Sequence, residues 1–327
     1  MLPETASALP GRAGADPGAD AILCPVTDLA LAGVAGPDAS AFLQGQLSSD
    51  VGALAVGAAQ WSSYNSPKGR VLATVLLSRE GEDAYRLLLA ADLAEATIRR
   101  LRMFVLRAKV TLDLAAATPV PGLAGAGAAA LLRSVAADVP PAGGTAPVAG
   151  GTLLATPDGR FLLLGVGAAA LPAALTRGDA EEWRYRRIVA GVPLVTAATA
   201  DQFVPQTINW DVLGGISFRK GCYPGQEIVA RTHYLGRLKE RLHAYRAPHG
   251  DCLPGTRLYS PAFGEQACGT VVNAARHPAG GQALLAVIQN AAAAGPVRSG
   301  APDGAELAAL ALPYAIPDPA PPRGRSA

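Results

Sequence analysis

Apolar positions follow two periods along the chain. Arg70 to Leu77 is a nearly continuous apolar run, and after the polar turn Glu80-Gly81-Glu82-Asp83 a second run spans Tyr85 to Leu89. Two such runs about a Gly-containing turn predict a β-hairpin. Asp92 to Val105 instead places Leu93, Ile98, Leu101 and Phe104 at helical spacing, with Asp92 positioned as N-cap. Upstream, Ala21 to Leu31 predicts a strand or strand pair, and Pro37 to Gln44 a short helix beginning at Pro37. Gly159 to Leu164 predicts another strand, and Asp179 to Ala190 a helix closed by Gly191-Val192-Pro193. Pro119 to Gly151 is rich in Ala, Gly and Pro; it reads as a junction holding one helix, Ala128 to Ala136. Beyond Leu238 the period shortens. Arg241–Arg246, Gly269–Ala274, Gln282–Ile288 and Glu306–Leu312 are short runs broken by turns such as Leu253-Pro254-Gly255-Thr256. That spacing predicts a small antiparallel β-barrel or sandwich, and the whole chain an α+β protein.

A length of 327 residues allows two or three domains. We divide the chain into a disordered tail (1–20), an α+β domain (21–115), a second, partly interleaved α+β domain (116–236), a β-barrel (237–316) and a disordered tail (317–327). Hydrophobic residues make up 50% but aromatics only 5%, so the core is built mainly of Ala, Leu and Val. A net charge of +2 argues against sequence-independent nucleic-acid binding by the whole surface. The first twenty residues lack a basic start followed by an apolar run, and no stretch of about 20 apolar residues occurs. The expectation is a cytoplasmic chain without a membrane segment. Cys24, Cys222, Cys252 and Cys268 lie far apart with no C-x-x-C, and the four histidines lack metal-site spacing. No metal site is expected.

One octet concentrates the chemistry: Lys220-Gly221-Cys222-Tyr223-Pro224-Gly225-Gln226-Glu227. Tyr223-Pro224-Gly225-Gln226 has the form of a type II turn, with Pro fixing the second position and Gly supplying positive φ at the third. Gln226 to Arg231 reads as a short regular element leaving it. Cations stabilise a thiolate, and Arg219, Lys220 and Arg231 are candidates to flank Cys222. Gly221 and Gly225 permit close backbone approach to a ligand. Gln226 can donate and accept, and Glu227 can accept. A buried structural cysteine in a tight loop is the competing reading. The segment Arg219 to Arg246 holds seven Lys/Arg and two Glu, net +5 against +2 for the whole chain. It suits an anionic partner, unless Arg237, Lys239 and Arg241 simply alternate on the outer face of a strand. Trp210 is a candidate for stacking on a ring or for core packing; Trp61, Tyr64 and Trp183 read as packing residues.

The octet resembles the signature of the YgfZ family of folate-binding proteins, relatives of the glycine-cleavage T-protein. Flanking matches are Phe203-Val204-Pro205-Gln206, Gly214 to Phe218 and Val229-Ala230-Arg231. Phe42 to Asp50, Ser66 to Arg70 and Met103 to Val110 extend the likeness, so it covers about Leu23 to Ile316. The resemblance implies a T-protein-like multi-domain fold around a central opening. It implies binding of tetrahydrofolate or a one-carbon derivative, and support of iron–sulfur cluster assembly or repair in client enzymes, including tRNA-modifying ones. Cys222 is then the reactive thiol, with Lys220 beside it. Gly221, Tyr223, Gly225, Gln226, Glu227, Arg231, Gln206, Trp210 and Asp211 are candidates for folate binding. Where T-proteins carry R-L-E-A-G, this chain has Arg187-Ile188-Val189-Ala190-Gly191, so the acid expected to contact the pterin is Val189. Three functions compete: folate-binding accessory protein, folate-dependent aminomethyl- or methyltransferase, and RNA- or protein-binding adaptor. Iron–sulfur client or assembly proteins are the expected partners, and direct tRNA binding stays open.

Overall fold

The strand pair expected over 21–31 forms as Ile22–Val26 (β1) and Leu29–Ala35 (β2), and its members enter different sheets. This computed structural model describes residues 21–115, 120–135, 138–166, 175–234, 236 and 238–317. The expected tail at 1–20 and all but the first residue of that at 317–327 lie outside them, as does Arg237. The chain continues through Ala39–Gln46 (α1), Ala59–Asn65 (β3), Val71–Gly81 (β4), Ala84–Ala90 (β5), Ala91–Arg102 (α2) and Thr111–Leu114 (β6). These strands make an antiparallel sheet in the order β3-β4-β5-β2-β6. The predicted hairpin is β4–β5, with Leu76 opposite Leu88. Its period of two sorts the core. Val75, Leu77, Leu87 and Leu89 pack with Leu43 of α1 and Ile98 and Leu101 of α2, while Leu76 and Leu88 face the opposite side.

Two local expectations change. Helix α2 ends at Arg102 rather than Val105, because the next amides turn to i−3 carbonyls and Leu106 takes φ +42°. Asp92 is not its N-cap. Ala90 occupies that place, and the Asp92 carboxylate accepts the Ala197 amide at 2.9 Å, tying a distant loop to the helix. Strand β3 had no apolar signal, since Gln60, Ser62 and Ser63 interrupt it. Its two serines are fully buried nonetheless, hydrogen-bonded to Ser48 and Ser49.

The stretch read as a junction is sheet and helix: Val120–Ala124 (β7), Ala128–Val135 (α3), Thr145–Val148 (β8), then Gly151–Ala155 (β9). With Phe161–Leu164 (β10) and Thr176–Arg177 (β11) they join β1 in the order β11-β1-β7-β10-β9-β8. Small residues are needed here. Gly122 of β7 lies under the Trp183 ring, where a Cβ would come within 2.6 Å of it. Trp183 belongs to Ala180–Val189 (α4), which Asp179 caps by accepting from Glu182 N–H at 2.9 Å.

After a 3₁₀ turn at Pro205–Ile208, Gln226–Tyr234 forms α5. Glu240–Ala247 (β12), Arg257–Tyr259 (β13), Ala267–Arg276 (β14), Gln282–Gln289 (β15), Val297–Ser299 (β16) and Glu306–Leu310 (β17) close into a barrel, β12-β15-β14-β13-β16-β17. The barrel-or-sandwich alternative resolves to an antiparallel barrel. Both sheets and the barrel contribute to one central core containing Trp61, Leu88, Leu162, Trp183, Trp210, Leu242 and Leu285. No helix among the described residues is long and apolar enough to cross a membrane.

Candidate functional site

The type II turn predicted in the octet forms: Gln226 N–H donates to Tyr223 O at 3.1 Å and Gly225 takes φ +77°. A second turn braces it from behind. Ser66 to Arg70 closes the β3–β4 hairpin, with Gly69 at φ +70°. The two glycines meet backbone to backbone. A Cβ on Gly225 would lie 2.4 Å from Ser66 O and 2.5 Å from Gly69 Cα. Gly225 thus approaches protein backbone, whereas Gly221 faces open space.

Lys220 is buried, and its ammonium donates to the Gln44 and Leu47 carbonyls at the end of α1. These are acceptors the helix leaves without an internal partner. The same ammonium lies 4.9 Å from the centre of the buried Tyr223 ring. Gln226 closes the loop by donating to Lys220 O at 3.3 Å. Cys222 is held outward and exposed by these anchors; the other three cysteines are buried, and burial pushes the Cys24 thiol up to about 11. Glu227 is exposed on the first turn of α5 and Arg231 on its last.

Burial pulls Lys220 down from 10.5 to about 8, against the opposing pull of Asp50. Between those pH values the unfolded chain carries a proton the folded chain has released, so this group makes stability rise with pH there. The urea midpoint of the wild type is therefore expected to gain on that of Lys220→Met as pH climbs from about 8 toward 10.5. A difference that stays constant with pH would contradict it.

Gln206, Trp210 and Asp211 are committed to partners inside the protein. Gln206 is fully buried and donates to Val229 O at 2.7 Å. Asp211 forms a two-pronged pair with Arg241, at 2.7 and 3.0 Å. Arg241 is thus buried, not on an outer strand face, and with Lys220 also buried the basic segment shows fewer charges to solvent than its sequence suggests. Trp210 is fully buried, 5.7 Å from Trp61 and flat against Gly215.

A cavity of about 30 Å³ sits where the two sheets meet, walled by Trp61, Trp183, Trp210, Arg160, Arg187 and aliphatic side chains. The indole N–H groups of Trp183 and Trp210, and Nε and Nη1 of Arg187, are buried without a hydrogen-bond partner. All are donors. Asp28 pairs with Arg187 at 2.7 Å and with Arg184 at 3.6 Å. Burial pushes the Asp28 carboxyl up, but these arginines more than offset it and hold it below the usual range. Trp61 and Trp183 read as packing residues in the sequence, Arg187 only as the start of the segment set against R-L-E-A-G, and Arg160 and Asp28 carry no mark there. The signal for the last pair was a lone Asp and a lone Arg that only the fold brings together. No cluster of three metal-ligating side chains occurs among the described residues.

No protein-family model matches the chain. Over 229 residues it is 34% identical to the tRNA-modifying protein YgfZ of Enterobacter sp. (strain 638), covering 67% of this chain and 70% of that one. The tRNA-modifying protein YgfZ of Edwardsiella ictaluri (strain 93-146) is 33% identical over 272 residues, 79% of this chain and 81% of its own. The chain belongs to the YgfZ family. Its fold is shared with the crystal structure of glycine cleavage system aminomethyltransferase T from Bartonella henselae, at a TM-score of 0.72 and 17% identity over 91% of this chain and 87% of that one. The α+β architecture with a closed C-terminal barrel, expected from the resemblance, is therefore the T-protein fold.

Proposed function

We propose that this YgfZ-family chain is a cytoplasmic accessory protein that binds tetrahydrofolate or a one-carbon derivative. Through Cys222 it supports iron–sulfur enzymes, including those that modify tRNA. The observation that carries the reading is the presentation of Cys222: one thiol held outward on a turn locked by two glycine backbones and a buried lysine, while the other three are buried. A structural cysteine does not need that exposure. The tRNA-modifying name of the relatives supports the client class.

For folate, the donor set fits a pterin. Trp183 and Trp210 N–H and the free edge of Arg187 match its carbonyl and ring-nitrogen acceptors. A cavity of about 30 Å³ has room for one or two waters, so a pterin enters only as its walls move. Bound folate would supply a one-carbon carrier. Position 189, half-buried at the end of α4, is valine and offers a pterin no acceptor. That favours binding over aminomethyl transfer.

Two measurements test the reading. Calorimetric titration with tetrahydrofolate is expected to show saturable binding, and Cys222→Ser is expected to fail to restore iron–sulfur enzyme activity in cells lacking the protein. Full rescue by the serine variant would remove the thiol from the function. Absence of binding at millimolar ligand would remove folate and leave an adaptor.

A further inference from the structure

Aromatic residues are only 5% of this chain, yet three of their kind of flat ring meet at the surface beside the Cys222 loop. The half-buried Phe218 ring stacks on the exposed His233 imidazole at 3.8 Å and 15°. Tyr234, 55% exposed, stands edge-on to both, 4.8 Å from His233 and 6.2 Å from Phe218. Helix spacing places Glu227, Arg231 and Tyr234 in one row along α5, leading from the turn that follows Cys222 to the rings. The cations here are uncommitted. Lys68, Arg219 and Arg231 are exposed and have no ion-pair partner among the described residues, whereas Lys220 and Arg241 are consumed inside the protein. Lys68 sits on the hairpin turn whose Gly69 touches Ile228 of α5, so it borders the same face. Glu227 is the lone acid of this helix.

We infer that this face of α5, with Phe218 and Arg219, is a ledge for single-stranded RNA. Exposed rings accept a base on their faces, and unpaired cations beside them accept the phosphates. A protein partner would be met better by the apolar tip at Met103, Phe104 and Leu106, which are 61%, 43% and 88% exposed at the end of α2. The ledge goes beyond the folate reading and does not depend on it: RNA would bind outside, within reach of the Cys222 loop, while the cavity lies between the sheets.

Fluorescence anisotropy with a short labelled unstructured RNA tests this. Wild type is expected to bind, and Tyr234→Ala to weaken binding about tenfold through loss of one stacking surface. Raising salt from about 50 to 200 mM is expected to weaken binding steeply, and Arg219→Gln or Arg231→Gln to lower the log–log salt slope by roughly 0.7 each. Tyr234 and both arginines are exposed, so the variants fold. The inference is overturned if wild-type protein leaves the RNA unbound at low salt. It is equally overturned if duplex RNA binds as well as single strand, if Tyr234→Ala binds like wild type, or if an acidic peptide binds the ledge and RNA does not. Tyr234→Ala keeps tetrahydrofolate binding under this scheme, and absence of folate binding by the wild type would count against the folate reading alone.

Discussion

Arg241→Ala is expected to destabilise the protein by about 3–5 kcal/mol, the usual cost of leaving one partner of a buried ion pair uncompensated. The arginine side chain is 9% exposed and that of Asp211 14%. One Arg241 nitrogen donates both to Asp211 and to the Gln206 carbonyl, the latter at 2.6 Å, and the second donates to the other Asp211 oxygen. This planar fork joins the first strand of the barrel to the 205–211 segment. Asn209, in the left-handed region at φ +59°, reinforces the joint by donating to Leu242 O at 2.9 Å. Lysine cannot reproduce the fork, so Arg241→Lys is expected to recover little. Arg241→Met combined with Asp211→Leu is expected to recover most of the loss, since it removes both charges. Urea denaturation at neutral pH measures all three. An alanine variant within about 1 kcal/mol of wild type would mean the pair is solvated and the barrel is held by apolar contact alone.

Arg241 also marks where sequence reasoning stops. Alternation of Arg237, Lys239 and Arg241 with apolar neighbours reads as a solvated strand face, and Lys239 is indeed exposed. Arg241 turns inward because Asp211, thirty residues upstream, offers a buried carboxylate. Period-two patterning cannot see a partner that is brought close only by tertiary packing. Lys220 behaves likewise: its place in the octet is plain, but the carbonyls that accept from its ammonium lie 176 and 173 residues away, at the end of α1.

What was legible had local causes. The β4–β5 hairpin, α4 with its Asp179 cap, the Pro-Gly turn after Cys222 and the C-terminal barrel runs all follow from residues adjacent in the chain. What was hidden had distant causes or bland composition. Strand β3 is polar in sequence because its serines satisfy one another and Ser48 and Ser49 inside the core. Strand β7 looked like linker because the Trp183 ring demands glycine at 122. The cavity wall needed Trp61 of β3, Trp183 and Arg187 of α4, and Trp210, three separate segments, so no motif could have announced it.

The two glycines that flank Cys222 are expected to differ sharply on replacement by alanine. Gly221→Ala meets nothing within 4 Å and is expected to cost under about 0.5 kcal/mol, as a surface substitution does. Gly225→Ala combines two penalties. Its φ of +77° disfavours any side chain, and the new Cβ would press on Ser66 O and on Gly69 Cα and N at 2.4, 2.5 and 2.6 Å. Those atoms are backbone in a tight turn and cannot rotate away. Positive φ and overpacking together are worth roughly 2–5 kcal/mol. Relief requires the two turns to part, and the Cys222 loop moves with the one that yields. Gly225→Ala is therefore expected to lower the urea midpoint and to change the alkylation rate of Cys222 by small maleimides, while Gly221→Ala leaves both near wild type. If the two variants behave alike, the contact between the turns does not set the position of the thiol.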